Sequence, residues 1–241
     1  CSGHLSCIEA LLKSSRVCDG VINGLSKTGT SAFFIAAQEG RLPVVQALLN
    51  SDRCSGENVN AGMISNRVTG FYVAAQNGHA DVVKAMLESR RILDQSLNAA
   101  ITDGGSSDFY DGTTAFYQAV QNGHVDIVEA MLQSDRISDR NINAVDGTDG
   151  TSGFYWAACN GHLSCIEALL KSSRVCDRVI NGLQKTGYSA FFIAAEEGRL
   201  AVVQAMLKSD RCSAENLNAV RTSDGVTGFY MAAQEGHVGV V

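Results

Sequence analysis

Proline is almost missing from this chain: there is one, Pro43, in 241 residues, beside one tryptophan and 7% aromatic residues overall. A chain so poor in proline is neither a polyproline linker nor a low-complexity tail. Basic residues do not outnumber acidic ones. With 19 Lys and Arg against 25 Asp and Glu the formal charge is −6, and no Lys/Arg cluster interrupts the mixture. The electrostatic footprint of a phosphate-backbone binder is absent, so nucleic acid is not an expected partner. Long apolar runs are lacking as well. Stretches such as 33–37 or 202–207 fall far short of the roughly 18 residues that span a bilayer, so no membrane span is expected. No initiating Met, basic segment or apolar signal core stands at the start, which reads Cys-Ser-Gly-His. The chain is therefore expected to be a fragment of a longer protein.

What the sequence has instead is self-similarity. The block Thr69-Gly70-Phe71-Tyr72-Val73-Ala74-Ala75-Gln76-Asn77-Gly78-His79 recurs, and its phenylalanine reappears at 33, 71, 116, 154, 191 and 229. Spacings of 37 or 38 residues follow, with a single step of 45 between Phe71 and Phe116. Partial repeats at 1–29 and 226–241 flank five expected repeats at 30–67, 68–112, 113–150, 151–187 and 188–225. A longer period lies over the first: residues 1–83 align with 159–241 at an offset of 158, about three-quarters identical. That offset predicts a further copy of the 45-residue repeat beyond Val241 in the full-length protein.

Each block predicts two helices. A Ser or Thr (Ser31, Thr69, Thr114, Ser152, Ser189, Thr227) precedes the apolar run, where its hydroxyl can accept from an orphan amide. Gly40, Gly78, Gly123, Gly161, Gly198 and Gly236 then supply the left-handed residue that ends the first helix. The second helix carries apolar residues at helical spacing, as at Val125, Ile127, Val128, Met131 and Leu132, and holds Pro43 in a first turn, where a missing amide costs least. Small Ala pairs such as Ala74-Ala75 let helices approach closely. Neither helix buries its stripe alone, so stability must come from stacking.

These residues resemble the ankyrin repeat, whose signature is Thr-Pro-Leu-His-x-Ala-Ala, a Gly-His turn, Val-Val and Leu-Leu on the second helix, and a closing Asn-Ala. Thr114 to Val120, Gly123-His124, Ile127-Val128, Met131-Leu132 and Asn143-Ala144 fall in that order. The resemblance implies an all-α helix-turn-helix solenoid with protruding hairpin loops, a concave inner face, and service as a protein-binding scaffold. In this chain Gly or Ala replaces the Pro, Phe-Tyr or Phe-Phe replaces Leu-His, and the unit is longer. The extra residues follow the second helix, at 51–54, 134–137 and 209–212, and either lengthen it or add a short third turn. Longer HEAT-like helical pairs are the rival stacking.

Chemistry-bearing residues are scarce in any order that suggests catalysis. The five histidines (His4, His79, His124, His162, His237) share the Gly-His slot, and Arg41 and Arg199 replace them in two copies. A turn role is expected, not metal or acid–base work. The eight cysteines are four positions used twice, so duplication explains their even number better than a disulfide framework does; reduced thiols are expected, and with them a cytoplasmic setting. Cys165 reads as a small buried hydrophobe, whereas Cys18, Cys54, Cys176 and Cys212 read as loop residues. No phosphate-binding glycine loop, His-Glu-x-x-His pair or nucleophile elbow occurs. No enzyme and no cofactor is expected.

Candidate partner-binding residues fall in two places. The ends of the first helices should line the concave face with Gln38, Glu39, Gln76, Asn77, Gln121, Asn122, Asn160, Glu196, Glu197 and the Gln234-Glu235 pair. Trp156 sits in a slot filled elsewhere by Ile35, Val73, Gln118, Ile193 and Met231; it is either partly buried packing or a binding anchor. The insertion 103–111 offers Phe109 and Tyr110 to a partner or folds them back onto the adjacent hairpin, and its Asp103, Asp108 and Asp111 form a candidate calcium site without EF-hand order. The expected function is a non-catalytic scaffold for an unidentified protein partner. Alternatives are a self-assembling filament, spacer or spring that associates end to end, and the regulatory region of a larger enzyme or channel.

Overall fold

A computed structural model describes residues 2–101 and 112–241, the side chains of 2–4 excepted. The Phe109–Tyr110 pair and the three aspartates of the insertion lie outside the described residues. The described chain is helical, with four isolated antiparallel bridges and no strand. In order it forms α1 (Ser2–Lys13) and α2 (Asp19–Ile22); α3 (Ala32–Gln38), α4 (Leu42–Asn50) and α5 (Gly56–Val59); α6 (Gly70–Gln76), α7 (Ala80–Glu88) and α8 (Asp94–Leu97); α9 (Ala115–Gln121), α10 (Val125–Gln133) and α11 (Asp139–Ile142); α12 (Gly153–Asn160), α13 (Leu163–Lys171) and α14 (Asp177–Asn181); α15 (Ala190–Glu196), α16 (Leu200–Lys208) and α17 (Ala214–Leu217); and α18 (Gly228–Gln234).

Each full unit thus holds a seven- or eight-residue helix, a nine-residue helix and a short third one of four or five residues. The third helix accounts for the length beyond an ordinary repeat: the extra residues do not extend the second helix, which stops at Asn50, Glu88, Gln133, Lys171 and Lys208. Every first helix starts as the sequence requires, its Ser or Thr hydroxyl accepting from the amide three residues on, as Thr114 does from Tyr117 at 3.2 Å. Each ends at a glycine with positive φ, for example Gly78 at 78°. A Cβ there would also lie 2.7 Å from the His124 ring of the next unit, so strain and a clash both select glycine.

First helices stack on first helices and second on second, in the order α3, α6, α9, α12, α15, α18 and α1, α4, α7, α10, α13, α16. One continuous core runs between the two rows, through Phe33, Phe71, Phe116 and Phe154 and the Ala pairs, with Val83, Val128 and Met131 from the second helices. Cys54 and Cys212 belong to this core, which corrects their reading as loop residues: they are 0% and 8% exposed. The reason is a shared slot, since the residue after the Ser-x-Arg turn tucks inward in the five later copies, as Ile92, Ile137 and Val175 do, while Val17 of the first is part-exposed.

Candidate functional site

The stack leaves one surface for recognition only after its own polar groups are accounted for. Three side-chain ladders tie each unit to its predecessor. In the first, the Gly-His slot donates to the last carbonyl of the preceding first helix: His79 Nε2 to Gln38 at 2.9 Å, His124 to Gln76 at 3.0 Å, His237 to Glu196 at 2.9 Å. Arg199, in the same slot, gives its Nε proton to Cys159 at 2.8 Å. Burial lowers the pKa of His162, against the opposing pull of its bond to the Gln121 carbonyl. The Gly-His histidines that show these bonds are therefore inter-repeat ties, and no group of three His, Cys, Asp or Glu that could hold a metal occurs among the described residues.

The second ladder is arginine. Arg136 reaches back across the stack and gives Nη1 protons to the carbonyls of Leu87 (2.8 Å) and Ser89 (2.9 Å), an Nη2 proton to Ile92, and Nε to Asp94 (2.8 Å). Arg53, Arg91, Arg174 and Arg211 repeat the carbonyl contacts on the unit before each, and all but Arg91 also pair with an aspartate there, the matching residue before Arg91 being Gly56. These carbonyls end a second helix, where four acceptors lack intrahelical partners, and a planar cation with five donors matches them. Sequence reading noted the Ser-x-Arg turns only as extra length; their recurrence at one slot was the signal for a shared role. The third ladder is the closing asparagine: Asn98 donates to the Arg136 carbonyl at 2.8 Å and accepts from the Ser138 amide at 2.8 Å.

The residues expected to bind a partner divide accordingly. Asn77, Asn122 and Asn160 use their carboxamides inside the stack, donating to the carbonyls of Gln38, Gln76 and Gln121 at 3.0 Å. Glu197 pairs loosely with Arg199 at 3.7 Å. Gln76 is bonded at 3.5 Å to Gln118, whereas Gln121 Oε1 is buried without a partner. The Glu196 carboxylate makes no hydrogen bond or ion pair among the described residues; burial raises its pKa, opposed by Arg221 and reinforced by Glu197 and Glu235. Arg221 itself is held by Asp224 and the Tyr188 hydroxyl.

Trp156 is partly buried against the core, its ring edge-on to Tyr155 at 5.6 Å. Burial pushes the pKa of the nearby Tyr117 phenol up, opposed by Thr151 and Trp156. In the sequence Gln118, two repeats away from Glu196, is no more than a slot-mate of Trp156. It is 2% exposed and its Nε2 has no acceptor. Apolar side chains in the same slot of the other copies were the signal that a carboxamide there is out of place.

A cleft of about 640 Å³ lies between Asn60–Thr69 and Leu93–Ala100. Its asparagines are already engaged: Asn60 holds the Arg91 carbonyl and the Leu93 amide. No helix is long and apolar enough to cross a membrane among the described residues.

Comparison with known families agrees with this geometry. A model described as ankyrin repeats matches three times, over residues 54–146, 136–218 and 154–241. No curated protein matches the chain. Helix order, capping and family match lead to one conclusion: this chain belongs to the ankyrin repeat family.

Proposed function

We propose that the chain is a non-catalytic scaffold that binds a protein partner on the inner face, the side built by α3, α6, α9, α12, α15 and α18. The observation that carries this reading is where variation falls within the chain. Slots that join units are nearly fixed: Arg in the Ser-x-Arg turn, Asn at the close, His or Arg in the Gly-His turn. On the first helices, by contrast, one slot runs Ile35, Val73, Gln118, Trp156, Ile193, Met231, and another runs Gln38, Gln76, Gln121, Cys159, Glu196, Gln234. The first of these slots is mostly core, with Val73, Gln118, Ile193 and Met231 each 8% exposed or less; the second is part-exposed at the helix ends, and variation there supports recognition at that edge. Ankyrin repeats in general are protein-interaction modules, which agrees with it.

Photo-crosslinking tests the proposal. A benzophenone side chain placed at Glu197 on the inner face should trap a discrete protein adduct in cells, while one at Glu167 on the opposite row should not. Equal adducts at both positions, or adducts only at Glu167, would refute it.

A further inference from the structure

We infer that the inner face from α9 to α15 seats an extended cationic peptide segment, the Gln118 carboxamide taking its main chain and Glu196 taking a Lys or Arg side chain. This deepens the scaffold proposal and rests on it. Two independent features point to such an occupant. The first is the orphan amide. Gln118 is 2% exposed, its Oε1 accepts from Gln76 at 3.5 Å, and its Nε2 has nothing to donate to. Three residues on, the Gln121 Oε1 is a buried acceptor without a donor. A donor and an acceptor one helical turn apart match the C=O and N–H that a peptide main chain presents. Other buried unpaired amides, at Asn58, Asn141 and Asn216, share one recurring slot in the third-helix row, away from this face. Gln118 recurs nowhere: its slot is otherwise Ile, Val, Trp or Met.

The second feature is charge. Glu196 is partly buried and forms no ion pair with a described residue: Arg221, whose charge is felt there, is bonded to Asp224 and Tyr188, and Arg199 to the Cys159 carbonyl and Glu197. Glu235 adds a second carboxylate from the next unit, and the whole chain carries −6. An unpaired, half-desolvated carboxylate is costly alone and favours a partner's cation. Trp156 stands on α12 between the two features, partly exposed and braced edge-on by the buried Tyr155, a surface over which a Lys or Arg stem can lie. With helices roughly 10 Å apart, two steps of the stack make ~20 Å, the reach of about six extended residues.

The test is fluorescence anisotropy with labelled Gly/Ser peptides bearing arginines, glutamates or neither, read against the intact chain and its variants. The arginine peptide should bind and the other two should not, with affinity falling as salt is added. Glu196→Gln should weaken it about tenfold, and Glu167→Gln should leave it unchanged. Gln118→Leu should weaken it severalfold while keeping or raising the melting temperature, since it removes a buried unpaired donor and restores the slot's usual apolar character. A loss of affinity that merely tracked a loss of stability would overturn the role given to Gln118. Equal affinity for all three peptides, or an unchanged Glu196→Gln variant, would overturn the charge assignment. If the neutral peptide bound with dependence on Trp156 alone, the cationic inference would fail while inner-face recognition stood.

Discussion

At the scale of single residues, the arginine ladder contributes more than the ion pairs beside it. Asp94 is 67% exposed where it meets Arg136, and an exposed pair of that kind contributes about 0–1 kcal/mol. The helix-end carbonyls that Arg136 also holds are part-buried; hydrogen bonds to a charged donor contribute roughly 1.5–3 kcal/mol each in favourable cases. Arg136→Lys keeps the charge but loses the planar fork, so urea denaturation should show a loss of about 2 kcal/mol. Asp94→Asn should cost under ~1 kcal/mol. The thiols give a second residue-scale prediction. Burial pushes Cys165 and Cys212 each up to about 11 and raises Cys54 as well, with Glu129 adding to Cys165 and basic neighbours opposing at the other two. Below a raised pKa the thiol stays protonated and unreactive. Peptide mapping after brief alkylation at neutral pH should find the exposed Cys7, Cys18 and Cys176 modified and Cys54, Cys165 and Cys212 protected.

At the scale of elements, the first helix is the unit of packing. Phe116 on α9 is 3% exposed in the middle of the core, so Phe116→Ala should cost about 3–5 kcal/mol in a thermal melt, cavity included. Arg67 offers the opposite sign. It is the one non-glycine residue with positive φ among those described (61°), in a hairpin slot that is Gly29, Gly112, Gly150, Gly187 and Gly225 in the other copies. Arg67→Gly should raise stability by roughly 0.5–1 kcal/mol, the relief of a left-handed conformation outweighing the added chain entropy. Caps, glycine turns and the core stripes of both long helices were legible in the sequence because they are local: a hydroxyl three residues before an amide, or an apolar residue every third or fourth position. The third helix was legible only as one of two alternatives, because short helices leave no periodicity, and the ladders were not, because they join residues some 30 to 50 positions apart. The same limit hid Gln118, whose missing partner is a property of three adjoining helices.

At the scale of the molecule, the ladders make the array one column and not a row of independent units. The Gly-His histidine and Ser-x-Arg arginine are anchored in the unit before and the closing asparagine in the unit after, as with His124, Arg136 and Asn98, so weakening one junction loosens both sides. The proposed inner-face site, drawn from three successive first helices, relies on that coupling. Hydrogen exchange on the intact chain, compared with Arg136→Lys, tests this coupling most directly. In a coupled column, the substitution speeds exchange in α7 and α8 as well as in α10 and α11, and the amides of α9 and α12 remain the slowest. Faster exchange confined to α10 and α11, with α7 and α8 unchanged, would contradict it.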